Sequence, residues 1–286
     1  MDKSCWPASY GGTIGIFIWY MEKGRSLRRM DQLLTGVFFM AHLSGLVGWR
    51  SGWASMKVSP KVMAYCALLG LICHGIYNIF YSLAVTSIGV SLSAVLLNVA
   101  TVFTAVFSAL FFQEQITTLK GLALVINIVG CILAVTGGTF DLSVLSMWGL
   151  GCGIMAGLCY GLTAIIGKVA GYGTDAFVMS LWSFFWAALC LLVWILWQGG
   201  PMVMTPSVLG MGFFYALIPT VLGYILYYLG LQQIDDLSKV PVLASLETAA
   251  AVILGMSLTG DILNLINFLG IALIIASQWL IGKSRQ

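Results

Sequence analysis

The chain repeats itself, and both copies are built from apolar runs long enough to cross a lipid bilayer. Displacing the sequence by 147 positions lays Tyr77, Tyr81, Ser91 and Thr101 on Tyr224, Tyr228, Ser238 and Thr248, and Asn98 and Glu114 on Ser245 and Asp261. A displacement of 149 lays Gly121-Leu122-Ala123-Leu124 on Gly270-Ile271-Ala272-Leu273, and one of 150 lays Tyr10-Gly11-Gly12-Thr13 on Tyr160-Gly161-Leu162-Thr163. Internal duplication of this size in an apolar chain is the architecture of many solute transporters, whose site lies where the halves meet.

Composition decides the solvent. Apolar residues make up 60% of the 286 and charged residues 8%, with a mean hydropathy of +1.00, whereas a soluble domain carries about 25% charged residues. A hydrocarbon core of ~30 Å takes about 20 residues of helix, and an open sheet cannot satisfy its backbone there. The alternation of a transmembrane barrel is absent. The chain reads as an all-α membrane protein.

The apolar runs predict ten segments, near 5–21, 32–49, 62–85, 90–112, 120–137, 146–167, 176–197, 207–230, 240–258 and 263–282. They divide into a first repeat over 1–138 and a second over 144–286, joined by the turn around Thr139, Asp141 and Ser143. Five crossings per half is an odd number, so the second half enters the membrane from the opposite side and the repeat is inverted. Lys and Arg accumulate in cytoplasmic loops. With both termini cytoplasmic, Lys3, Arg50, Lys57, Lys61, Lys120, Lys168, Lys239, Lys283 and Arg285 lie inside, and Lys23, Arg25, Arg28 and Arg29 form a local exception in the first external loop. The first segment is the shortest of the ten. Its positive charges follow the apolar run, and no A-x-A-like site is evident, unlike a cleaved signal.

The function classes that need dedicated chemistry find no support. The seven cysteines lie almost wholly in apolar segments without C-x-x-C spacing, as small packing residues do. The two histidines, His42 and His74, fall on different segments, and no zinc, nucleophile-triad or phosphate-loop pattern occurs. The expectation is a non-enzyme with no cofactor and no metal. Its partners are a small-molecule solute and the lipid bilayer, with no nucleic acid, and its state is monomer or homodimer.

Polar residues in apolar segments mark the candidate site. On the third segment, His74, Tyr77, Asn78 and Tyr81 follow at i, i+3, i+4 and i+7, one face of a helix. The eighth repeats the device with Thr220, Tyr224, Tyr227 and Tyr228. A polar stripe avoids hydrocarbon and belongs toward the interior or water, although tyrosines also anchor helices at the membrane surface, which suits Tyr227 and Tyr228 near their segment's end. The fourth and ninth segments carry Ser91, Asn98 and Thr101 against Ser238, Ser245 and Thr248. Such hydroxyls either line a cavity or cross-bond helices for ~0.6 kcal/mol each. Asn98 brings two donors and an acceptor and needs several partners. Glu247 is a carboxyl within the ninth segment, about 100° round from Thr248 and flanked by Ala244, Ala250 and Ala251. It is a structural carboxyl bonded across a helix interface or a proton-coupling group. Lys168 stands at the cytoplasmic rim, where its stem can snorkel. Gly149, Gly153, Gly157 and Gly161 form a stripe suited to a tight helix seam, while Pro219 and Pro241 are placed to kink their segments.

Three local patterns resemble a known family. They are Tyr160-Gly161 with Lys168 seven residues on; Phe112-Gln113-Glu114-Gln115-Ile116-Thr117 followed by Gly121, similar to a G-E-x-x-T…G passage; and Ser245-Leu246-Glu247-Thr248, similar to an L-E-P passage. In this order and spacing they resemble the EamA-type family of the drug/metabolite transporter superfamily. Gln113 stands where that family has glycine, Thr248 where it has proline, and Ile18 where its first helix carries a basic residue. The resemblance implies a helical basket around a central cavity, with the fifth and tenth helices peripheral and the two halves rocking in alternating access. The cavity would be lined by His74, Tyr77, Asn78, Tyr81, Asn98, Thr101, Tyr224, Tyr228, Ser245 and Thr248. With few fixed charges there, the expected cargo is an amphipathic or zwitterionic, amino-acid-like metabolite moved outward across the cell membrane. The alternative, favoured by the short first segment and the motif departures, is a non-transporting scaffold or regulator that keeps the fold.

Overall fold

The computed structural model describes residues 49, 52, 56–139, 146–171, 173–198, 223–233, 237–245, 248–249 and 264–283. Every regular element among them is helical. α1 spans Pro60–Ile88, α2 Val90–Leu97, α3 Ala100–Phe112, α4 Thr118–Thr136, α5 Met147–Gly171, α6 Ala176–Gln198 and α7 Gly223–Gln233. A 3₁₀ turn at Leu237–Lys239 leads into α8 (Val240–Ala244), and α9 spans Leu265–Lys283. Pro60–Ile88, Leu92–Phe112, Thr118–Thr136, Met147–Gly171 and Ala176–Gln198 are each long and apolar enough to cross a membrane, and Leu265–Ile281 is a shorter apolar helix. These match the third to seventh and tenth predicted segments to within four residues at each end. The first two predicted segments, save Trp49, lie outside the described residues, as do Pro219, Thr220 and Glu247.

Local chemistry sets the ends. Ser59 accepts the Val62 amide on its hydroxyl, with Pro60 in the first helical turn, which caps α1. Thr117 does the same for α4 through the Lys120 amide, and Gly137 ends that helix in the left-handed region at φ 58°. α3 ends on Gln113 at φ 57°, the one described non-glycine residue with positive φ. Glycine is the residue that takes this conformation freely. The glycine of the resembled motif therefore has a local backbone reason, and this chain bears the cost of a side chain there.

α1 departs from the regular helix assumed in the sequence reading. Leu69–Ile76 is wound as a π-helix before α-geometry resumes at Tyr77. Its i→i+5 turns are wider, a form found mostly as short insertions near functional positions. His74 sits in this stretch and Tyr77 just beyond it, so the two do not share a simple α-helical phase.

The described residues group into two compact units. In the first, which includes Phe80–Gly161 and the described residues from 237 onward, α4 and α9 cross at glycines. A Cβ on Gly130 would lie 2.9 Å from the Ile274 nitrogen and 3.0 Å from the Gly270 oxygen, and one on Gly270 would meet the Ala134 backbone, 2.7 Å from its Cα. Cys131, Ala134, Ala249, Ile271 and Ile274 form a buried cluster, and Ala105, Ala123, Leu124, Val242 and Ile281 a second. The opposite faces expose Leu122, Val125 and Val129 on α4 and Phe268, Leu269, Ile275 and Trp279 on α9. In a chain of this hydropathy those are lipid-facing surfaces.

The glycine stripe of α5 makes the expected seam. A Cβ on Gly153 would meet Leu96, one on Gly157 would lie 3.1 Å from the Leu96 oxygen, and one on Gly161 would lie 3.1 Å from the Ala100 oxygen. The Thr104 hydroxyl donates to the Gly161 carbonyl at 2.9 Å and closes the contact. In the second unit, which includes the described residues to Ile79 and from Leu162 to Gln233, α1 packs on α6 by the same means. Cβ atoms on Gly70 and Gly75 would meet Ser183 with Trp186 and Cys190, respectively.

Candidate functional site

The fourth and ninth segments are both interrupted, at positions matched by the 147-residue displacement. Between α2 and α3 the chain turns at Asn98 and Val99, where the Asn98 amide donates to the Val95 carbonyl at 3.1 Å and the Thr101 amide to the Asn98 carbonyl at 3.1 Å. After α8 it turns at Ser245, where the Ser245 amide donates to Val242 at 3.2 Å and the Thr248 amide to Ser245 at 3.0 Å. Three-residue bonds thus appear beside four-residue ones at the same place in each copy, as where the Asn98 amide also reaches the Ala94 carbonyl at 3.3 Å. A tightened turn inside an apolar helix changes the direction of backbone carbonyls and amides, and it survives only with polar help.

That help comes from the polar residues predicted there. The Asn98 side-chain amide donates to the Ala94 carbonyl at 2.9 Å, and the Thr101 hydroxyl to the Asn98 carbonyl at 2.8 Å. Thr101 is buried, while Asn98 is half-buried. Ser245 is buried and its hydroxyl donates to the Val242 carbonyl, with Thr248 half-buried one turn on.

A polar knot at the second turn escaped the sequence reading. The amide of Asn127, on α4 and fully buried, donates to the hydroxyls of Ser245 and Ser277, the latter at 3.1 Å, and Gln278 donates to the Val242 carbonyl. Asn127 and Ser277 are 150 residues apart, the displacement that aligns the starts of the halves. The signal was available, since Asn127 is a lone amide in an apolar run. At the other end of this pair, Asn264 and Asn267 each accept the other's backbone amide, a reciprocal cap on α9. Their side chains donate to the Gly137 and Ala134 carbonyls at 2.8 and 2.9 Å, which closes the C-terminus of α4.

The third and eighth segments meet in the second unit. The His74 Nε2 and the Tyr228 hydroxyl are 2.9 Å apart and share a hydrogen bond. The imidazole stacks on Phe184 at 4.5 Å between centroids, with Tyr224 edge-on at 4.8 Å. Tyr227 and Tyr224 pack on Tyr228 in turn. Tyr228 is fully enclosed and His74 is 2% exposed, so neither is an anchor at the membrane surface. Asn78 donates to the His74 carbonyl at 2.7 Å and fixes the end of the widened turn. Tyr77 and Tyr81 are half-buried on the following turns.

The charged candidates occupy helix ends. Lys168 donates through Nζ to the carbonyls of Leu231 at 3.2 Å and Gln232 at 3.5 Å, a cation on the last carbonyls of α7. The Glu114 Oε1 accepts the Leu237 amide at 2.7 Å, at the 3₁₀ turn before α8, where a carboxylate suits the positive end of a helix. Lys120 is 2% exposed in the first turn of α4. Among the described residues no group of histidines, cysteines and carboxylates is placed to hold a metal ion. The described cysteines are free thiols, buried except for the half-buried Cys190.

Comparison with known proteins agrees with this architecture. A protein of Clostridium kluyveri described as an uncharacterized transporter is 24% identical over 233 residues, covering 77% of this chain and 72% of its own length. A protein known from a crystal structure superposes with a TM-score of 0.76 at 15% identity, covering 93% of this chain and 91% of its own, a likeness of fold. The model of the EamA-like transporter family matches residues 11–136 and 147–283. The chain therefore belongs to the EamA-like transporter family of membrane proteins.

Proposed function

We propose that the chain is a secondary transporter or facilitator that moves a small amphipathic or zwitterionic metabolite, amino-acid-like in character, outward across the cell membrane. Ten helices would form two inverted repeats, 1–138 and 144–286, around a central cavity, with both termini cytoplasmic and the protein a monomer or homodimer. Membership of a transporter family supports the class of activity. The observation that carries the site is the pair of matched interruptions at Asn98 and Ser245. In transporters built from repeats, helices broken at corresponding positions turn backbone amides and carbonyls toward the cargo, which polar side chains alone cannot do in an apolar helix. Asn98 and Thr248, both half-buried, would contact the solute directly, with the buried Thr101 and Ser245 holding the two turns. Tyr77, Tyr81, Tyr224 and the His74–Tyr228 pair would form the aromatic side of its path, with Asn78 in support and Lys168 at the rim.

The test is counterflow of a metabolite panel in proteoliposomes, followed by Asn98→Ala on each transported solute. The reading expects at least one solute to exchange, and Asn98→Ala to raise half-saturation or lower the rate about tenfold, the loss of ~1.4 kcal/mol of solute hydrogen bonding. Normal exchange in the variant would reduce Asn98 to a prop for its own helix. Absence of exchange for every solute would favour a scaffold that retains the fold.

A further inference from the structure

His74 is titratable, lies inside a membrane-spanning helix, and is held where a charge has little to support it. Among the described residues, the groups on it and its bonded partner are neutral: the Phe184 face and the Ser183 hydroxyl from α6, and Tyr224, Tyr227 and Tyr228 from α7. Its own helix adds the Cys73 thiol next in sequence, and Cys190 faces the same helix from α6 at Gly75. The charged side chains among the described residues of this unit are Lys57, Lys61, Lys168 and Asp175, all near helix ends. A neutral imidazole is accommodated in this arrangement, with its Nε2 hydrogen-bonded to Tyr228. An imidazolium does not, because its charge needs water or a carboxylate and finds aromatic rings. The helix that carries it is wound as a π-helix from Leu69 to Ile76, a wider turn of the kind found near functional positions.

We propose that His74 is a proton-binding latch: neutral, it fastens α1 to α7 through Tyr228, and protonated, it releases them to water. Only the use of this latch in transport rests on the proposed function. If the fastened form excludes the proton and the released form binds it with the ordinary imidazole value of about 6.5, linkage fixes the response. Lowering pH from 7.5 to 5.5 multiplies the released fraction about tenfold.

The experiment reads conformation and flux separately. In the full-length chain with Cys73 as the sole cysteine, the rate of modification by a water-soluble maleimide is measured from pH 7.5 to 5.5. Dividing by the rate in His74→Gln, or in the denatured chain should that variant fail to fold, removes the ordinary pH dependence of thiolate chemistry. The expected ratio rises about tenfold toward pH 5.5. A flat ratio overturns the latch, even if solutes are transported. A rising ratio without flux of any solute leaves the latch standing and removes the transporter reading instead.

Discussion

Gly270→Ala tests whether the α4–α9 crossing is as close as the backbone geometry requires. The new Cβ would sit 2.7 Å from the Ala134 Cα, with the Ala134 nitrogen nearer still. Ordinary carbon–carbon contact begins near 3.5 Å, so the helices must part locally by about 1 Å, a gap that forfeits a quarter to a half of each facing dispersion contact. Overpacking of this kind costs roughly 1–3 kcal/mol. Parting also stretches the Asn267 bond to the Ala134 carbonyl and the Asn127 bond to Ser277, interhelical bonds worth about 0.6 kcal/mol each in membranes. Alanine returns about 1 kcal/mol in helix propensity. The balance is a loss of about 2 kcal/mol, or roughly thirtyfold in the ratio of folded to unfolded protein. Gly151→Ala is the control, because a Cβ there meets nothing within 4 Å and the same propensity term acts alone, stabilising by about 0.5–1 kcal/mol. Unfolding in mixed detergent micelles, followed by circular dichroism against mole fraction of denaturing detergent, measures both. Equal or higher stability of Gly270→Ala relative to Gly151→Ala would refute the crossing geometry and the reasoning built on it.

Gln113→Gly relieves the left-handed cap of α3 and is expected to stabilise by ~0.5–1 kcal/mol in the same assay, with no gain if the side chain contributes an offsetting contact. Lys168→Met keeps the apolar stem while removing the donor to the Leu231 and Gln232 carbonyls, and is expected to cost about 1 kcal/mol. If Lys168 also attracts solute at the rim, the variant raises half-saturation in counterflow beyond what its lower stability explains.

Much of the fold was legible because lipid imposes one rule on every segment: twenty apolar residues make a spanning helix. The glycines at 149, 153, 157 and 161 foretold a seam because nothing else explains four of them on one stripe, although only the structure identified α2 and α3 as the partners. The polar stripes were visible, but their local purpose was not. Asn98 and Ser245 looked like residues on intact helices, because a local tightening toward three-residue bonding leaves no mark in apolar periodicity. The π-helical turn at His74 was hidden for the same reason, since local underwinding of a helix alters phase without altering composition. Asn127 was passed over because its partners, Ser245 and Ser277, are more than a hundred residues away. Glu247, the carboxyl within the ninth segment, lies outside the described residues.

The Asn264 and Asn267 caps impose an order on biosynthesis. The carbonyls at the end of α4 receive side-chain donors encoded 127 and 133 residues downstream. At about 5–20 residues per second, the ribosome needs roughly 6–27 seconds to make them. For that interval the end of α4 has neither its cap nor the glycine face of α9 to rest on, and the insertion machinery must shelter it. A nascent chain arrested before residue 264 should remain crosslinked to that machinery through α4, and one arrested after α9 has emerged should let go.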